Sequence, residues 1–156
     1  MKPMDNNPLK PMDGDIVEEL LEKPYYIIDI LPWQVAADSE GQYFKMARYF
    51  LRPPQKAVIV KKFCDIIIKL NCYYDLSLYQ DTDQHTDNPP PEFIEECMAS
   101  GIIVHAVVRS ENAMVSYDGD DHYMTLYNPS DRLLRLVTAL AGSVGLFVWK
   151  NNTQRP

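Results

Sequence analysis

Two short stretches concentrate the side chains that could do chemistry. Asp118-Gly119-Asp120-Asp121-His122 packs three carboxylates and an imidazole together, a set able to bind Mg²⁺ or to serve as acid and base. Asp-Gly is also a favoured hairpin turn for backbone reasons alone. No known spacing ties anything distant to the cluster. Asp120, Asp121 and His122 are therefore catalytic candidates with a structural explanation beside them.

The second stretch, QDTDQHTDNPPP over residues 80–91, places Asp81, Asp83, His85 and Asp87 at every second position. It resembles part of a calcium loop, with Glu92 at the twelfth position counted from Asp81. A calcium loop of the EF-hand kind needs Gly at its sixth position, where Thr86 stands, and three prolines fill the ninth to eleventh. With no apolar residue in it, the stretch reads as an exposed acidic loop that holds no metal.

His105 lies in an apolar run and shares a face by alternation with Ile103, Val107 and Arg109. As a general base it would need a Ser, Cys or Asp partner that sequence cannot place, so a satisfied core or edge histidine is the expectation. Arg109 is expected to pair with local carboxylates. Asp29, inside the apolar run 25–31, is expected at a sheet edge or hydrogen-bonded. Cys64, Cys72 and Cys97 are an odd count without CxxC spacing and read as reduced, interior residues, which favours the cytoplasm. No GxxxxGK or GxGxxG is present, so no nucleotide cofactor is expected.

Charge is unevenly spread. The whole chain carries a net −7, but 70–131 holds twelve acids against the single base Arg109. Between 45 and 69, seven bases (Lys45, Arg48, Arg52, Lys56, Lys61, Lys62 and Lys69) face only Asp65. The leading reading is a non-enzymatic interaction module whose acidic surface, residues 81–96 with 118–122, binds a basic protein through Asp81, Asp83, Asp87, Glu92, Asp118, Asp120 and Asp121. The alternative is a small divalent-metal-dependent hydrolase or transferase using Asp118 to His122. The opposed patches also predict a homodimer. Nucleic acid is not expected: the pI is about 4.9, and helical spacing assigns several aromatics of the basic ridge to the core.

These residues must be held by an ordinary globular core. At 156 residues and 46% hydrophobic, the chain suits one domain, and no apolar run approaches a membrane span. Residues 1–12, with three prolines, read as a mobile arm without an apolar leader, 13–150 as the domain and 151–156 as a tail. Helices are expected at 15–22, 39–51, 55–70, 92–100 and 129–141, and strands at 25–31, 74–79, 102–109, 113–117, 122–127 and 144–149. This order gives an α+β fold with a mixed or mainly antiparallel sheet of five to six strands. In the last helix, Asn128 is expected as N-cap, Leu133, Leu136, Val137 and Leu140 as the apolar stripe, and Gly142 as the stop. In 39–51, Tyr43, Met46, Ala47 and Phe50 are expected to face inward. The strand at 144–149, apolar on both faces, is expected inside the sheet.

Overall fold

The computed structural model describes residues 10–36, 41–80 and 84–150. Among these residues five α-helices, α1 (Lys10–Leu21), α2 (Gly41–Phe50), α3 (Gln55–Leu70), α4 (Pro91–Ala99) and α5 (Asp131–Ser143), accompany one sheet. Its strands are β1 (Tyr25–Asp29), β2 (Ser77–Gln80), β3 (Gln84–Asp87), β4 (Val104–Val108), β5 (Ala113–Tyr117), β6 (Tyr123–Tyr127) and β7 (Phe147–Lys150). They lie in the order β3-β2-β4-β5-β6-β1-β7, every pairing antiparallel. The fold is α+β. Among the described residues no helix is long and apolar enough to cross a membrane.

Strand alternation sends the side chains of the sheet to two faces. Leu78, Val104, Ala106, Val108, Val115, Tyr117, Met124 and Leu126 point to one, where α3, α4 and α5 close the main core with Phe63, Ile67, Ile94, Met98, Leu133 and Val137. α3 earns its central place from its sequence: Ile59, Phe63, Cys64, Ile66, Ile67 and Leu70 are buried, while Lys61 and Lys69 stay wet and Lys61 reaches Asp65 at 2.9 Å. Val17 and Leu20 of α1 cover the opposite face over Tyr79, Val107 and Met114. Because of that second layer, Ser77 and Tyr79 are buried as well as Leu78, and β2 is not the half-solvated strand its alternation suggests.

Several boundaries move for local reasons. β3 forms inside the expected loop, where Ser77 pairs with Asp87 and Leu78 with Thr86; an edge strand needs backbone partners on one side only, so a polar sequence can supply it. β4 starts at Val104 because its hairpin partner ends there, Val104 standing opposite Tyr117, and Ile102 and Ile103 are left exposed. The cap of α5 is Ser130, whose Oγ accepts from the Leu133 amide at 3.1 Å. Asn128 instead adopts a positive φ of 58° and donates to the Asn112 carbonyl at 2.8 Å. The helix runs through Gly142 to Ser143, and Gly145, at φ 81°, makes the left-handed turn. β7 is an edge strand, with Phe147 44% exposed, not an interior one. In α2, Met46 faces solvent with Phe44 and Tyr49, and only Tyr43, Ala47 and Phe50 are half-buried.

Candidate functional site

The acidic turn closes the β5–β6 hairpin. The Asp121 amide donates to the Asp118 carbonyl at 2.9 Å and the Asp120 amide to Asp118 Oδ1 at 3.1 Å, so one carboxylate is spent in part on holding the turn. A Cβ built on Gly119 would stand 3.0 Å from the Gly101 Cα; only glycine lets the turn sit so close to the chain leaving α4. Asp120 is exposed, while Asp118 and Asp121 are half-buried. Burial raises the Asp121 carboxyl above its ordinary value, and Asp118 adds to the rise, against a smaller opposing pull from His122. Among the described residues no basic side chain forms an ion pair with Asp118, Asp120 or Asp121.

His122 turns away from these acids into the protein, 5% exposed, and meets Asp29, 3% exposed. Its Nδ1 lies 3.1 Å from Asp29 Oδ1. A carboxylate only accepts, so Nδ1 carries the proton. The same Oδ1 accepts the Ile30 amide at 2.7 Å. Nε2 lies 2.8 Å from the Tyr43 hydroxyl on α2, and the two rings meet edge-on with centroids 5.7 Å apart. Burial alone would lower the imidazole pKa, but the hydrogen bond and charge of Asp29, with Asp121 nearby, carry it above the ordinary value. Burial raises the Tyr43 phenol, helped by Asp29 and Asp121. The chain of groups resembles a carboxylate–imidazole–hydroxyl relay, yet its hydroxyl is a phenol that stays protonated at neutral pH, a poor nucleophile. What it does physically is hold α2, which has no fully buried residue, against the sheet.

The remaining candidates lie elsewhere. His105, 6% exposed, stands opposite Ser116 across the β4–β5 ladder, with Nδ1 to Oγ at 2.6 Å, so it belongs to the face under α1 and does not join His122. His85 stacks on Tyr79 at 4.8 Å, and its Nε2 is 3.6 Å from Asp87 Oδ1. Asp87 accepts the Ser77 hydroxyl at 2.7 Å. Arg109 donates through Nε to Ser77 Oγ at 3.0 Å and through Nη2 to the Tyr79 hydroxyl, reaching Asp87 by way of Ser77. Asp81 and Asp83 lie outside the described residues. Glu92 is exposed in the first turn of α4. No group of three or more His, Cys, Asp or Glu among the described residues is arranged to hold a metal ion. Burial pushes the Cys64 thiol up to about 11, so it is not a nucleophile at neutral pH.

Tyr43 is the member that sequence reasoning missed as a polar partner, reading it only as an inward-facing ring. The odd carboxylate in β1 was the one available signal, and nothing in sequence pointed from it to a residue 93 positions away. No family model, no curated protein and no solved structure matches the chain.

Proposed function

We propose that the protein is a non-enzymatic interaction module whose acidic surface binds a basic protein. The observation that carries this reading is the 118–121 turn, where three carboxylates gather with no Lys or Arg paired to them among the described residues and where burial, with the charge of Asp118, already raises Asp121. An approaching Lys or Arg relieves that repulsion. The contact of Gly119 with Gly101 sets the turn beside the C-terminal end of α4; Glu96 is exposed on that helix, and Glu92 is exposed at its opposite end. Glu95 contributes less, because it lies 3.4 Å from Lys61, and Asp87 is turned onto Ser77. The hydrolase or transferase alternative has weaker support, since both ring nitrogens of His122 are engaged by Asp29 and Tyr43. A cytoplasmic setting is supported by three free cysteines, two of them buried.

An octalysine peptide is a sufficient probe. Its association rate, followed by stopped-flow fluorescence, should fall about tenfold or more in the triple variant Asp118→Asn, Asp120→Asn, Asp121→Asn, and should fall again as salt is added. A rate indifferent to both changes would refute the reading.

The same charge map supports a homodimer. Lys45 and Arg48 are exposed on α2 with no carboxylate partner among the described residues. A two-fold axis would let each copy set α2 on the acidic turn of the other. Lys61 is already neutralised by Asp65 and Glu95 within one chain, so α2, not α3, is the basic partner. Light scattering at micromolar concentration should give twice the monomer mass in low salt and the monomer mass in high salt. A monomer at both would end the proposal.

A further inference from the structure

A groove of about 450 Å³ runs between α3 and α4, within the range of small-ligand sites, roughly 300–1,000 Å³. Its lining is mainly apolar, with Ala57, Val60 and Cys64 from α3 and Met98 and Ala99 from α4. Gly101 and Gly119 form part of the same wall, and because a side chain at Gly119 would strike Gly101, that wall is made of backbone. Cys64, with its thiol pushed up to about 11 by burial, adds no charge to the lining.

Three charged side chains reach the groove, Lys56, Lys61 and Glu95. Lys61 is held by Asp65 at 2.9 Å and Glu95 at 3.4 Å, two carboxylates on one ammonium, so it has no charge to spare for a ligand. Lys56 is different: among the described residues no carboxylate pairs with it. The groove therefore offers an apolar surface with Lys56 as its one ammonium that has no carboxylate partner among the described residues. A lone ammonium suits a single negative charge, and the apolar lining suits a chain without hydrogen-bonding groups, since a polar group lying there would lose water and gain no partner.

We propose that this groove binds an amphiphilic monoanion, a medium-length hydrocarbon chain ending in a carboxylate, with the chain over Val60, Cys64 and Met98 and the head on Lys56. Gly119 and Glu95 border both the groove and the acidic surface, but Lys56 belongs to the groove alone, so its substitution tests this site apart from the interaction module.

Titration calorimetry of the full chain with decanoate, decanol and decyltrimethylammonium, each below its micellar concentration or solubility limit, tests it. Decanoate should bind tightest, decanol more weakly, and the cationic amphiphile weakest of all. Lys56→Gln should weaken decanoate about tenfold and leave decanol unchanged. Ala57→Phe, at an exposed helical position in the groove lining, should abolish binding of both by filling the groove. Unchanged circular dichroism melts would show that both variants are folded. The proposal is overturned if decanoate does not bind at millimolar concentration, if decyltrimethylammonium binds as tightly, or if Lys56→Gln leaves decanoate affinity where it was. Decanoate binding that survives Ala57→Phe would place the ligand elsewhere and overturn it too.

Discussion

His122→Ala should lower the unfolding free energy by about 3–5 kcal/mol, the usual cost of stripping one partner from a buried charge pair. The variant leaves the Asp29 carboxylate 3% exposed in the parent structure with only the Ile30 amide to solvate it, and it also releases Tyr43 and with it α2. Tyr43→Phe, which removes only the outer hydrogen bond, should cost about 1 kcal/mol. The pH dependence has a definite sign. The imidazole pKa is raised on folding, so the ionic part of the stabilisation is complete below the unfolded histidine value, about 6.5, and is lost as pH rises through the folded value. Urea titrations at pH 6 and pH 9 should thus show the gap between parent and His122→Ala to be wider at pH 6. A gap under 1 kcal/mol at both pH values would mean that Asp29 and His122 are not paired in solution.

Phe63→Ala is expected to cost a similar amount, about 3–5 kcal/mol, for a different reason. Phe63 is fully buried between α3 and the sheet, its ring centroid 5.2 Å from that of Tyr117, and its removal leaves a void in a packed interior. Tyr117 should respond in the opposite direction. Its hydroxyl is buried without a hydrogen-bond partner among the described residues, and burial, with the charges of the acidic turn and Cys64, pushes the phenol up to about 12. Tyr117→Phe keeps the ring and deletes the unsatisfied group, so it should stabilise by about 1 kcal/mol. Denaturant midpoints moving left for Phe63→Ala and right for Tyr117→Phe would bear this out. A Tyr117→Phe variant less stable than the parent would show that the hydroxyl has a partner after all.

Local pattern made much of this fold legible in the sequence. The i, i+4, i+8 spacing of Lys61, Asp65 and Lys69 puts all three on one wet stripe only in a helix, which marks 55–70 as α3 because helical neighbours are set by a fixed period. The Asp-Gly pair marked the β5–β6 turn because few residues accept its backbone angles. Asp29 stood out because a carboxylate in an apolar strand needs a reason. The α+β class followed from the order of the elements, and the charge map, which is a property of composition, carried directly into the proposed interaction surface.

Only the tertiary structure decided where each element lies and what its polar groups meet. Periodicity says that a strand has two faces but not that a helix covers both, so burial of Ser77 and Tyr79 depended on α1. Polar β3 and apolar β7 are both edges, and neither composition foretold it, because strand order comes from pairing across long loops. The helical stripe placed Met46 inside, whereas α2 packs so lightly that none of its residues is fully buried. Asp29, Tyr43 and His122 come from β1, α2 and the turn just before β6, the two charged members 93 positions apart. A hydrogen bond is decided within about 3 Å, a scale that separation along the chain does not encode.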